Sequence, residues 1–428
     1  MGPAHRHDHD LSLGPSPSAA CATQSFVTRT LALVATLVAV AFTGGTASTT
    51  AAAPRDLQAT LANALRAPGI DPRNVAALAV DLRTGQTVYS SNPGRSLLPA
   101  SAEKLPVSFA ALRVLGPRYR FRTEVVGAGV RSGRVWRGNL WLVGFGDPTL
   151  DRADLDRLAR KFAATGITRI AGRVFGDDTH FDGRRDGPGW KPSYLGVESR
   201  PIAALSVAGV RLTGVHGSAV AAARAYVEAL ERRGISVTGR SGSRPAPSAA
   251  LSIVFDLSDP LSAIVRQVNG ESDNFASEMV LKELGSTAAH RGSSAAGARV
   301  VRSALRAAGI PLAGVRIADG SGLSRFDRLT AHTLAAILRV AAADPAIRDA
   351  FIASLAVAGI SGTLERRLDG RPTLGQVIAK TGTTSRASAL AGFVRRRYAF
   401  AILQNGSPVP YWTAREAQDR FVIALARS

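Results

Sequence analysis

Residues 378–404 read IAKTGTTSRASALAGFVRRRYAFAILQ. Three short apolar runs stand in this stretch, Ile378–Lys380, Ala389–Val394 and Ala399–Gln404, each of strand length and bounded by polar or glycine residues. The last two flank Arg395-Arg-Arg397 and predict an antiparallel hairpin, and the first predicts a neighbouring strand whose edge begins at Lys380. Helical patterns surround them at Ala276–Leu284, Ala295–Ala308 and Leu334–Ala343, with Ala417–Ala426 as a closing helix. An antiparallel sheet with helices packed on it is an α+β domain.

Toward the N-terminus the pattern continues. Leu57–Leu65 reads as a helix, and Val75–Leu82 and Gln86–Tyr89 form a hairpin signal around Arg83-Thr84-Gly85. Ser101–Leu115 reads as a helix opened by Pro99-Ala100. From Phe121 to Asp178 the chain is β-rich, with Leu140–Val143 leading into the turn Gly144-Phe-Gly-Asp147-Pro148. Gly166-Ile167, Gly234-Ile235 and Gly309-Ile310 each predict a helix closed by a glycine and followed by a strand. Arg240–Ser248 is the most linker-like stretch.

The 428 residues, 46% hydrophobic, suffice for two domains and a large core. Arg29 followed by the apolar run Leu31–Phe42 and the small residues Thr43–Ala53 predicts a cleaved export signal over 1–53, so the membrane is met only during export. The single cysteine, Cys21, precedes that run and would be lost with it, which leaves burial to carry the stability. The net charge of +21 is spread over scattered arginines with only 6% aromatics, a pattern that argues against nucleic acid and suits an anionic cell envelope. Five of the 53 basic residues are lysines. Two of them, Lys104 and Lys380, fall inside short motifs, and lysine, unlike arginine, can lose its proton when desolvated.

Those motifs are Ser101-Ala-Glu-Lys104, Ser272-Asp-Asn274 and Lys380-Thr-Gly-Thr383, in that order. On a helix Ser101 and Lys104 share a face, so the serine hydroxyl lies beside a group able to take its proton once burial lowers its pKa. Lys380 would supply a second cation to lower it further. Ser272 would relay a proton to a leaving amine, Asn274 would hold Lys104 and the substrate amide, and the Ser272-Asp-Asn274 turn would also cap a helix over Phe275–Leu284. A strand edge carrying Lys380, Thr381 and Thr383 would pair with a peptide and bind its carboxylate, with Gly382 permitting close approach.

Together the motifs resemble the active-site set of the serine penicillin-interacting enzymes. Asp319-Gly-Ser-Gly-Leu-Ser-Arg325, Gly359-Ile-Ser-Gly-Thr-Leu364 and Gly144-Phe-Gly-Asp-Pro-Thr-Leu150 narrow the resemblance to class C low-molecular-mass penicillin-binding proteins, the D-alanyl-D-alanine carboxypeptidases/endopeptidases. It covers roughly residues 57–427. The resemblance implies a transpeptidase-like domain with an antiparallel sheet and helices on both faces, built from 54–119 and 246–428, carrying a β-rich insert at 120–245. It implies Ser101 as acylated nucleophile, Lys104 as proton acceptor, Ser272 as proton shuttle, Lys380 and Thr381 on the substrate carboxylate, and the N–H groups of Ser101 and Thr383 as oxyanion hole. Asp147 and Arg325 are further candidates for reading a diamino-acid side chain of the stem peptide.

Peptidoglycan stem peptides and β-lactams are the implied partners, and no metal or organic cofactor is implied. The seven histidines lack ligand spacing. Ser321, between two glycines, reads as a turn serine rather than a nucleophile elbow. Departures include the short distance from Ser101 to Ser272, Ser361 where aspartate is common, and Pro106, which removes a helical hydrogen bond to the Ala102 carbonyl and predicts a kink. The rivals are a serine β-lactamase and a non-catalytic envelope-binding protein of the same fold. Carboxypeptidase and endopeptidase are not separated at this level.

Overall fold

The computed structural model describes residues 55–428, and the expected export signal at 1–53 lies outside them. Helix α1 (Arg55–Ala64) leads into the hairpin β1 (Val75–Asp81) and β2 (Thr87–Ser91). A 3-10 turn, Ala100–Glu103, runs directly into α2 (Lys104–Val114). The chain then builds β3 (Arg122–Ser132), β4 (Val135–Gly144), α3 (Arg152–Ala163), β5 (Arg169–Ala171) and β6 (Val174–Asp177). After a long irregular segment come α4 (Ser218–Glu231), β7 (Ser236–Val237), β8 (Gly242–Ser243) and β9 (Leu251–Leu257). Five helices follow, α5 (Leu261–Gly270), α6 (Asn274–Ala289), α7 (Ser294–Ala307), α8 (Ala331–Ala343) and α9 (Arg348–Ala353). The chain closes with β10 (Ala356–Val357), β11 (Val377–Thr384), β12 (Ala387–Val394), β13 (Tyr398–Asn405) and α10 (Tyr411–Arg427).

The first sheet is antiparallel throughout, in the order β10-β11-β12-β13-β1-β2. Residues 378–404 supply its centre as expected, with each strand longer than its apolar run. β1 docks on β13 from Val75 opposite Gln404 to Asp81 opposite Tyr398, which joins the two ends of the chain. Alternate side chains then serve two cores. Ala76, Leu78, Ala391, Phe393, Ala401 and Leu403 face α2 and α5 to α8. Ala77, Ala79, Leu390, Phe400 and Ile402 face α1 and α10 through Leu61, Phe421, Val422 and Leu425. Helices therefore cover both faces, the α+β arrangement expected from the sequence.

The second sheet is mixed, with β3 antiparallel to β4 and β9 and the short strands β5 and β6 parallel to β4. Its core packs α3 and α4 on Val125, Leu140, Leu142 and Val174. Helix α3 is fixed by a reciprocal capping box between Asp151 and Asp154.

Three expectations need correction. The insert boundary at 245 falls short of β9, which pairs with β3 from Arg122 opposite Leu257 to Gly127 opposite Leu251; long-range pairing, invisible locally, decided this. Gly309 does close α7 with a φ of 67°, but no strand follows; the chain makes only an isolated bridge between Arg316 and Arg328. Pro106 removes no hydrogen bond within α2, because the helix begins at Lys104 and places the proline in its first turn, where an N–H has no intrahelical acceptor, and the Ala102 carbonyl accepts from the Lys104 N–H instead.

Phe400 is fully buried on a central strand. Phe400→Ala is expected to lower unfolding free energy by about 3–5 kcal/mol, measured by denaturant titration, and a loss under 1 kcal/mol would contradict this packing.

Candidate active site

Ser101 lies within the 3-10 turn and Lys104 is the first residue of α2. A 3-10 helix has three residues per turn, so positions i and i+3 eclipse, and Lys104 Nζ comes to 3.1 Å from Ser101 Oγ. The turn is entered through Ala100 at φ 46°, an uncommon left-handed conformation for a residue with a Cβ. Lys104 is 0% exposed and finds two further acceptors, Asn274 Oδ1 and the Ser321 carbonyl, each at 2.7 Å. Burial lowers its pKa to about 8, opposed by the carboxylates of Asp319, Glu278, Asp273 and Glu103.

Ser272 also adopts a left-handed conformation, φ 62°, immediately before α6. Asp273, not Ser272, caps that helix by accepting the Ala276 N–H at 2.9 Å. The Ser272 hydroxyl is thereby free to accept from Lys380 Nζ at 3.0 Å. Lys380, likewise 0% exposed, donates also to the Thr381 carbonyl at 2.8 Å. Burial first, and then the neighbouring Lys104, hold Lys380 well below the ordinary lysine value. Burial is the first cause at both lysines, and the Lys104 charge adds to it at Lys380.

β10 covers only Ile378 and Ala379 of β11, so the edge from Lys380 to Thr384 is open. Strand and nucleophile turn touch closely. A Cβ on Gly382 would sit 2.8 Å from the Pro99 carbonyl and 3.1 Å from the Ser101 nitrogen. A cleft of about 350 Å³ joins Ser101, Ser272, Asn274, Thr381 and Thr383. The same cleft is lined by Leu323 and Thr363, from two of the motifs quoted above, and by Glu198, Arg367, Tyr411 and Arg415, none singled out from the sequence. Thr363 accepts from the Thr381 hydroxyl at 2.9 Å. It belongs to Gly359-Ile-Ser-Gly-Thr-Leu364, a segment that stands out by resemblance only.

Beneath Lys104 lies a floor of buried acids. Asp319 accepts from Trp190 Nε1 at 2.7 Å, Ser321 Oγ at 3.0 Å and the N–H groups of Gly322 and Ser324 at 2.8 Å. Glu278 accepts from the N–H groups of Gly320 and Ser321, which fixes the loop whose carbonyl holds Lys104. Burial, then Asp319, pushes Glu278 up to about 8, and burial with the same neighbours holds Glu103 well above the usual carboxylate range. Ser321 is the turn serine expected, and its carbonyl belongs to the site.

Of the weaker candidates, Arg325 lines a second hollow of about 440 Å³ with Trp190, Lys191, Tyr194, Thr384 and Arg386. That hollow shares Leu323 with the cleft. Asp147 lines neither. Its Oδ1 accepts from the Thr149 N–H and hydroxyl, burial raises it to about 6, and it holds its own turn. The segment between β6 and α4 closes one side of the cleft, for Asn274 Nδ2 donates to the Glu198 carbonyl at 3.0 Å.

Comparison with known proteins gives consistent matches. The model of the D-Ala-D-Ala carboxypeptidase 3 (S13) family matches residues 57–215 and 210–427. A D-alanyl-D-alanine carboxypeptidase of Actinomadura sp. is 32% identical over 448 aligned positions, covering 85% of this chain and 83% of that protein. A carboxypeptidase of Mycobacterium tuberculosis is 32% identical, covering 83% of this chain and 81% of its own. Penicillin binding protein 4 from Haemophilus influenzae shares the fold at a TM-score of 0.75 and 22% identity, over 86% of this chain and 98% of that one.

If Lys104 must be neutral to accept the serine proton, acylation of Ser101 should rise about tenfold per pH unit below about 8 and level off above it. Rates of β-lactam acylation between pH 6 and 9 measure this, and a profile that is flat or falls with pH would remove Lys104 as base.

Proposed function

The chain belongs to the D-Ala-D-Ala carboxypeptidase 3 (S13) family, and from that premise we propose that it is an exported serine DD-peptidase. Its substrate is the D-Ala-D-Ala end, or a D-amino-acid crosslink, of a peptidoglycan stem peptide, and β-lactams acylate it. One observation carries the proposal: two serines share a cleft along an open strand edge, and the hydroxyl of each lies within 3.1 Å of a fully buried lysine.

Ser101 Oγ attacks the scissile carbonyl carbon while Lys104 Nζ takes the hydroxyl proton. Charge develops on the carbonyl oxygen, and the backbone N–H groups of Ser101 and Thr383 receive it, each such donor contributing about 2.7–4 kcal/mol. Collapse breaks the C–N bond, and the Ser272 hydroxyl delivers a proton to the leaving nitrogen. Net, one proton passes from Ser101 to the amine and an ester remains on Ser101. Water, with its proton again accepted by Lys104, then cleaves the ester. In a β-lactam the broken amide lies in a ring, so the leaving nitrogen stays tethered and the ester persists.

Asn274 bridges Lys104 and the Glu198 carbonyl, which supports its assignment to positioning the base. The hollow around Arg325 continues the cleft on the Thr384 side and is proposed to take the side chain of the residue before the scissile dipeptide. An envelope site of action follows from this substrate, and no helix among the described residues is long and apolar enough to cross a membrane.

Intact-mass measurement with benzylpenicillin should give one adduct per chain, mapped to Ser101 and absent from Ser101→Ala. Rapid drug turnover without a lasting adduct would indicate a β-lactamase instead. No adduct and no hydrolysis by folded protein would indicate a binding protein.

A further inference from the structure

A peptide cleaved at its last bond brings a carboxylate into the cleft. One residue, about 3.8 Å between successive Cα atoms, separates the scissile bond from that charge, so its counterpart must lie in the same small space as Ser101. Lys380 is poorly placed for this. It is fully buried, and two of its three donors go to Ser272 Oγ and the Thr381 carbonyl. Its held-down pKa agrees with that geometry.

Two guanidinium groups line the cleft. Arg367 is 6% exposed and already satisfied, donating to Asp419 at 2.8 Å, Gln418 Oε1 at 2.8 Å and the Arg415 carbonyl at 3.3 Å. Arg415, on the second turn of α10, is half-buried and leans over the Tyr411 ring with its Nη1 donating to the Tyr411 hydroxyl. Among the described residues no carboxylate lies within 4.0 Å of it, for Asp419 is paired with Arg367 and Glu416 reaches Arg420. The cleft, which Glu198 also lines, thus holds a guanidinium with no carboxylate within 4.0 Å, although the charge of Asp419 is felt nearby, and it shares that lining with Thr381 and Thr383.

We propose that Arg415 binds the terminal carboxylate of the substrate, and that it makes the cleft select peptides ending in a free carboxylate over those blocked or extended at that end. The assignment rests on the acylating-serine function proposed above. A planar guanidinium can grip a carboxylate through two parallel hydrogen bonds, which lysine cannot do. Tyr411 keeps the side chain parked toward the cleft when no substrate is bound. Arg367 is a positioning residue: through the Arg415 carbonyl it sets where α10 presents Arg415.

The test uses the purified protein and two ligand pairs that differ only in the carboxylate. One pair is an acylated peptide ending in D-Ala-D-Ala and its C-terminal amide, read as kcat/KM. The other is benzylpenicillin and its methyl ester, read as the rate of Ser101 acylation by mass spectrometry. In Arg415→Gln the free acids should lose about tenfold to a hundredfold, and the amide and ester should stay within about twofold. Arg415→Lys should recover part of the loss. Equal losses on both members of each pair, or none, would overturn the assignment, since a merely structural arginine cannot tell acid from amide. Acylation by penicillin with no hydrolysis of either peptide would overturn the peptidase reading alone, leaving Arg415 to be judged on the penicillin pair. No acylation of the unmutated protein would overturn both.

Discussion

Taking an ammonium group out of water costs several kilocalories per mole unless its donors find acceptors, and this chain does so twice in one site. Lys104 resolves the cost with three acceptors and with buried carboxylates beneath it. Lys380 has two acceptors and a like charge nearby, and burial together with that charge holds it well below the ordinary lysine value. Desolvation is therefore what converts an ordinary lysine into a base, and most of the surrounding structure serves to keep water away from those two nitrogens.

The scaffold meets this demand with local geometry rather than with size. A 3-10 turn eclipses Ser101 and Lys104, and left-handed backbone at Ala100 and Ser272 points each serine at its lysine. Three segments far apart in sequence converge there: the start of α2, the start of α6 and the open half of β11. The loop over 319–324 locks them from below through Asp319 and Glu278. Strained backbone at such points persists because the packing around it over-determines it.

Much of this was legible in the sequence. The hairpin around Arg395-Arg-Arg397 announced the sheet, and lysine in an arginine-rich chain marked Lys104 and Lys380, both fully buried beside a serine hydroxyl. Ser101, Lys104, Ser272, Asn274 and Lys380 are brought together as their motifs implied. What was not legible depended on partners distant along the chain. β9 looks like any short apolar run until β3 claims it. Asp147 sits in a turn that would carry an aspartate whether it binds a ligand or caps itself. Arg415 is one arginine among many, and only its place in the cleft, with no carboxylate of the described residues within 4.0 Å, sets it apart.

The two residues of β10 act as a ruler. They pair with Ile378 and Ala379, and at the end nearer Lys380 the strand begins only at Ala356, because the chain before it still bonds back to α9, with the Leu355 N–H donating to the Ile352 carbonyl. Where that short strand stops fixes the length of backbone left for a guest chain to occupy. Lengthened by one pair, at Leu355, it would cover the edge at Lys380 with the protein's own backbone, and the slot would be shortened before any substrate arrived. The width of the opening is thus written at the end of a helix that does not line the cleft.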